Sequence, residues 1–92
     1  RIGATDDRMK AIRETDPYRI MNVAASVNAQ LVIVDSVNVL AIPGVVGIPG
    51  GANQVRACTT YIGKRAKDEG RTAIMIVQIA LISGFTPSRT SE

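Results

Sequence analysis

Apolar positions along this chain switch between helical and continuous spacing, and each switch marks an element. Ile20, Val23, Ala24 and Val27 recur at intervals of three and four, with Arg19, Asn22 and Ser26 between them, which predicts an amphipathic helix from 17 to about 28. Thr15-Asp16-Pro17 marks its start, because Asp16 is placed to cap free amides and Pro17 suits a first turn whose N–H has no partner. Leu31-Val32-Ile33-Val34 is unbroken and ends on Asp35-Ser36, which predicts a strand over 31–35 buried on both faces, as in a parallel sheet covered by helices. Val55, Cys58, Ile62 and Ala66 restore the helical period and predict a second helix over about 52–69. Asn53 is placed to cap its start, and Gly70 to supply the left-handed stop. The stretch 72–82 then reads as a second buried strand with one polar residue, Gln78, inside it.

Between Asp35 and the second helix lies Pro43-Gly44-Val45-Val46-Gly47-Ile48-Pro49-Gly50-Gly51, where two prolines and four glycines in nine residues predict a loop, expected to be mobile. Residues 1–13 are polar and mixed and fit a helix end or a short strand equally well, while 84–92 is polar and aperiodic and is expected to be a flexible tail. The order helix, strand, glycine-rich loop, helix, strand defines an α/β class with a parallel sheet, joined by a crossover that is right-handed by default. At 92 residues this is one small domain or part of a larger one.

Composition narrows the functional classes. With 46% hydrophobic and 21% charged residues the chain is expected to fold, and with one Phe, two Tyr and no Trp its core must be aliphatic. The net charge of +3 is a mild bias; Arg1, Arg8, Lys10, Arg13 and Arg19 lie near the start, and Arg56, Lys64, Arg65, Lys67 and Arg71 on the second helix and its end. Solvated helix faces explain this spread more simply than a nucleic-acid patch, since no block of like charge occurs. No His and a single Cys argue against a zinc site and an internal disulfide. The longest apolar run is about half a bilayer span, and Arg1-Ile2-Gly3 does not open a signal peptide, so a cytoplasmic setting without a membrane is expected.

Three places carry candidate chemistry. A hydrophobic strand that closes on Asp35-Ser36 is how a Walker B element holds Mg²⁺ beside a nucleotide phosphate, the acid acting directly or through water, although strands also end on Asp to cap a following turn. Gln78 is a polar group in an apolar strand, which must find a partner or reach the end of the sheet. The glycine-rich loop invites a phosphate cradle, but Ala52-Asn53-Gln54 stands where a P-loop requires Gly-Lys-Ser/Thr, and Gly63-Lys64 is followed by Arg65 in mid-helix. Cys58 lies on the apolar stripe with no His to activate it, which makes a thiol enzyme a poor alternative.

With these elements in place, the stretch from Glu14 to Gln78 resembles the middle of the RecA-fold ATPases, and most nearly the bacterial RadA/Sms DNA repair family. Glu14-Thr15-Asp16 and its helix look like the approach to the family's Walker B strand, and Leu31-Val32-Ile33-Val34-Asp35-Ser36-Val37-Asn38-Val39-Leu40 looks like that strand and its continuation. Gly51-Ala52-Asn53-Gln54-Val55-Arg56-Ala57-Cys58 with Ala66-Lys67-Asp68-Glu69-Gly70 resembles the helix that follows. The resemblance implies a partial RecA-like parallel sheet flanked by helices over 1–92. It implies an ATPase using ATP and Mg²⁺, with Asp35 as the metal-associated acid, Ser36 beside it in the cofactor site, and Gln78 as a catalytic sensor of the γ-phosphate that relays to a loop starting at Ser83. It also implies DNA as partner and a homo-oligomer or another sheet-completing chain.

The sequence departs from the family in lacking a Walker A segment and the catalytic glutamate of an earlier strand, and in running Ile79-Ala80-Leu81-Ile82 where polar or basic residues are usual. As it stands the chain is expected not to hydrolyse ATP by itself, as a fragment or degenerate form of such an ATPase. The alternative is a non-catalytic α/β interaction module that oligomerises through open sheet edges.

Overall fold

Asp16 and Pro17 act together at the first helix, α1 (Pro17–Ser26): the Asp16 carboxylate accepts a 2.8 Å hydrogen bond from the Tyr18 N–H, and Pro17 occupies the first turn. In the computed structural model, which describes residues 9–78, α1 leads through Asn28, in left-handed backbone at φ 53°, into strand β1 (Leu31–Asp35). A single 3-10 turn follows at Val37–Val39, then the glycine-rich loop, helix α2 (Ala52–Glu69) and strand β2 (Thr72–Ile76). The strands pair in parallel from Leu31 opposite Thr72 to Asp35 opposite Ile76. A parallel pair needs a crossover, and α2 supplies it, so both strands point their carboxyl ends toward the side where α2 begins.

The ends of α2 follow the sequence reading at one terminus and not at the other. Gly70 adopts φ 74° and hydrogen-bonds back to the last turn, the left-handed stop expected of it. At the start, Gly51 is the capping residue and makes no side-chain bond, while the Asn53 side chain instead accepts a 2.7 Å hydrogen bond from Arg56. Asn53 sits two residues past the capping position, inside the first turn. The end of the strand expected over 72–82 and the tail at 84–92 lie outside the described residues, as does most of the ambiguous stretch 1–13.

The core lies between α2 and one face of the sheet. Met21, Val34, Val37, Leu40, Ile42, Cys58, Ile62 and Ala66 are buried there, with Val32, Ala73 and Met75 packed against them. On α2 the buried stripe is Gln54, Cys58, Ile62 and Ala66, one residue at every fourth position, with Val55 only half-buried. On α1 it is Pro17, Met21 and Ala24, whereas Val27 is exposed, so the stripe is turned from the expected one toward α2. An edge-to-face stack of Tyr18 on Tyr61, with centroids 4.6 Å apart, and a hydrogen bond from Arg65 to Asn22 join the two helices, Arg65 also donating to the Tyr61 hydroxyl on its own helix.

The expectation of a strand buried on both faces is corrected. Leu31 and Ile33 are 51% and 59% exposed, and their neighbours Ile74 and Ile76 are 48% and 41% exposed. They share one face, since side chains two apart on a strand point the same way and the register aligns Ile33 with Ile74. Among the described residues that face stays about half-exposed, so the continuous apolar run serves two faces of which only one is fully covered here.

Candidate functional site

The polar groups singled out in the sequence meet at the carboxyl edge of the sheet. Asp35 is the last residue of β1 and is exposed, and among the described residues no cation pairs with it. Ser36 follows through a cis peptide bond and is 8% exposed, opening the 3-10 turn as its capping residue. That turn closes through hydrogen bonds from the Val39 N–H to the Ser36 carbonyl, at 3.4 Å, and from the Leu40 N–H to the Val37 carbonyl, at 3.0 Å.

Gln78 arrives at the same edge, but not as expected. It lies two residues beyond β2 and is exposed, so its side chain is not a buried polar group inside a strand. Its backbone is what is held. The Gln78 N–H donates to Asn38 Oδ1 at 2.7 Å, and Asn38 Nδ2 donates to the Gln78 carbonyl at 2.9 Å. β1 has by then turned away into the 3-10 turn, so the Asn38 amide takes the place of the strand partner that Gln78 has lost.

The glycine-rich loop is held from below by Gln54, which is 2% exposed. Gln54 Oε1 accepts from the Ile42 N–H at 2.8 Å, and Nε2 donates to the carbonyls of Val45, Gly47 and Ile42 at 2.8, 3.2 and 3.3 Å. Gly44, Gly47 and Gly50 all have positive φ, which a loop this tightly folded requires. The carbonyls of Ile42, Val45 and Gly47 turned toward Gln54 make it a pinned turn, with carbonyls rather than N–H groups directed at the side chain it encloses. Gln54 was missed as a site-shaping residue, although one signal was present: a polar residue one turn before Cys58 on an otherwise apolar stripe.

Charge at the far end of α2 is consumed locally. Glu69 accepts from Arg65 at 2.6 Å and from Arg71 at 2.8 Å, and these hydrogen bonds hold the Glu69 carboxyl below its ordinary range and raise the Arg65 guanidinium. Arg71 also donates to the Ala29 carbonyl at 2.7 Å, fastening the link between α1 and β1. Lys64 pairs with Asp68. The second basic cluster is thus spent largely on ion pairs of its own helix. Cys58 is fully buried, and burial, the largest cause, pushes its thiol up, with a smaller contribution from Asp16 opposed by a hydrogen bond with the Ile42 backbone; this is the opposite of what a nucleophile needs.

Whether Mg²⁺ and a nucleotide fit can be judged from the donors. No group of three His, Cys, Asp or Glu capable of holding a metal occurs among the described residues. Mg²⁺ in nucleotide sites does not need one, because it keeps several waters and is held by one or two carboxylates plus substrate phosphates. An exposed carboxylate without a cation partner at the carboxyl edge fits that half of such a site. The phosphate-binding half is not among the described residues. Beside Asp35 a cavity of about 310 Å³ runs along β1 and is lined by Glu14, Ile20, Val27, Ile33, Asp35 and Ser36 among others. No helix among the described residues is long and apolar enough to cross a membrane.

Parallel strands, a crossover helix and an acid at the carboxyl edge make this chain an α/β segment of the partial RecA-like class. No family model matches the chain, and no solved structure matches it. Curated sequences do: the chain is 32% identical over 76 residues to the DNA repair protein RadA of Haemophilus influenzae and 35% identical over 77 residues to that of Halalkalibacterium halodurans, covering 83% and 84% of this chain. It is 29% identical over 76 residues to the DNA repair protein RadA of Escherichia coli. The chain spans only 17%, 17% and 16% of the length of these relatives. It is a RadA/Sms-like segment.

Proposed function

We propose that this segment supplies the Walker B half of an ATPase core in a RadA-like DNA repair protein, acting on DNA within a larger assembly. Asp35 is the acid that holds Mg²⁺, directly or through a water, and Ser36 is its neighbour in the cofactor site. Gln78 is the group that responds to the γ-phosphate. The observation that carries this is Asp35 itself: a carboxylate exposed at the end of a parallel strand, with no cation partner among the described residues, where open α/β sheets bind ligands. Bound Mg²⁺ would supply charge neutralisation of the phosphates. The chain's part is to hold the acid at a fixed height on the sheet edge, which pairing of Asp35 opposite Ile76 and burial of Ser36 support. The exposed Gln78 side chain is free to exchange partners while its backbone is held, which suits a sensor better than a buried amide would.

The test is to exchange this segment for the matching 76 residues of the E. coli relative and then introduce Asp35→Ala. Mg²⁺-dependent ATP hydrolysis is expected to persist in the exchanged protein and to fall at least about tenfold with Asp35→Ala, a loss of about 1.4 kcal/mol. Unchanged hydrolysis in the Asp35→Ala protein would sink the assignment.

The half-exposed apolar face and the sheet of only two strands among the described residues favour a second reading, a non-catalytic module that completes its sheet with another chain. Concentration-dependent association of this chain without nucleotide binding would favour it, and a stable monomer would count against it.

A further inference from the structure

Asn38 was not singled out as a functional residue by its type or spacing, yet it is the point where the three segments of the carboxyl edge touch. It lies three residues after Asp35 in the 3-10 turn. Its side-chain amide brackets the backbone of Gln78, forty residues away in sequence, with both a donor and an acceptor. Its own carbonyl lies against Gly50 of the glycine-rich loop, so closely that a Cβ on Gly50 would approach it to 3.3 Å. Gly50 has φ 85°, so the loop's path over Asn38 depends on the residue without a side chain at that point.

We infer that Asn38 is a positioning residue: its amide ties the exit of β2 at Gln78 to the turn behind Asp35, so that acid and sensor segment keep one geometry. The physical reason is the divergence of the strands. Pairing ends at Asp35 opposite Ile76, and from there β1 curls into the 3-10 turn while the chain after β2 runs on. Without the amide the Gln78 N–H and carbonyl would face water with nothing to fix their direction. An amide is the side chain that can satisfy both at once, because it carries a donor and an acceptor side by side. The functional consequence rests on the Walker B reading above: a change at the acid would reach the Gln78 backbone through one rigid turn and two hydrogen bonds.

The experiment has two arms. In this chain, amide hydrogen exchange is followed residue by residue, in the parent and in Asn38→Ala and Asn38→Asp. Exchange at Gln78 is expected to accelerate about tenfold in Asn38→Ala and clearly less in Asn38→Asp, which keeps the oxygen that accepts from the Gln78 N–H, while amides of β1 and α2 keep their parent rates; tenfold is what a hydrogen bond worth about 1.4 kcal/mol gives. Asn38→Asp keeps the side chain's shape and the acceptor for the Gln78 N–H and loses only the donor to the Gln78 carbonyl, so an acceleration there as large as in Asn38→Ala would overturn the inference. Equal exchange at Gln78 in parent and Asn38→Ala overturns it as well. In the RadA exchange protein, Asn38→Ala is expected to lower kcat for ATP about tenfold with KM within about twofold, since the phosphate contacts stay and only the response is lost. An unchanged kcat overturns the positioning role even if the exchange arm succeeds. Failure of the Walker B assignment shows separately, as hydrolysis that survives Asp35→Ala.

Discussion

Gln54 carries the sharpest stability prediction. Replacing it by Leu keeps the volume on the buried stripe of α2 but removes every side-chain hydrogen bond from α2 to the glycine-rich loop and Ile42, leaving only backbone bonds such as Val45 N–H to the Ile42 carbonyl. The Ile42 N–H, 2.8 Å from Gln54 Oε1, is then left without its partner in a residue that is itself buried. A buried donor left unpaired costs about 1–3 kcal/mol. The carbonyls of Val45 and Gly47 lose Nε2 but lie nearer the surface, where water replaces it in part, adding about 0.5–1 kcal/mol. The sum is about 1.5–4 kcal/mol, against a total stability of roughly 5–14 kcal/mol for a chain of this length. Urea denaturation of parent and variant reads the difference directly, as a lower midpoint at similar slope. Gln54→Glu separates the components: it keeps the acceptor for Ile42 but points a carboxylate at three carbonyls, so at neutral pH it should be at least as damaging as Leu. A Gln54→Leu protein within about 0.5 kcal/mol of the parent would refute the reasoning, since that is the size of an ordinary surface change.

Other expectations follow from single residues. Gly70→Ala forces a Cβ into backbone at φ 74° with no steric neighbour within 4 Å, so the cost is conformational alone, about 1 kcal/mol, and Gly70→Asn should cost less; thermal denaturation checks the order. Cys58, raised above its ordinary value of 9.0 by burial, is expected to react with a thiol reagent only as the chain unfolds. Its contribution to stability is fully present below the ordinary thiol pKa and is lost as pH rises through the higher folded value, so Cys58→Ala should flatten the alkaline limb of a stability profile. Rapid alkylation of the native chain near pH 7 would contradict the burial. Glu69 runs the other way: held below its ordinary 4.5 by Arg65 and Arg71, it contributes stability that is present above that value and lost as pH falls through the folded one. Glu69→Gln should weaken that acid dependence, measured by denaturation at graded pH.

What the sequence determined by itself was local. The boundaries of β1 and α2 fall where periodicity and Gly70 put them, and α1 begins where Asp16 and Pro17 require, because capping, proline geometry and side-chain period act over a few residues. The acid at the carboxyl end of β1 was legible for the same reason: the run and its terminating Asp35 are contiguous. Only the tertiary structure decided which side of each element is covered. An unbroken apolar strand reads the same whether one face or two are packed, and here Leu31, Ile33, Ile74 and Ile76 share the open one. The α1 stripe kept Ala24 but turned from Ile20, Val23 and Val27 to Pro17 and Met21 because the position of α2, not the spacing alone, chooses among neighbouring faces. Gln54 and Asn38 look like unremarkable polar residues in the sequence. Their partners lie seven to twelve residues away in the loop and forty away at the end of β2, and a hydrogen bond across such separations exists only once the sheet and crossover have brought its ends together.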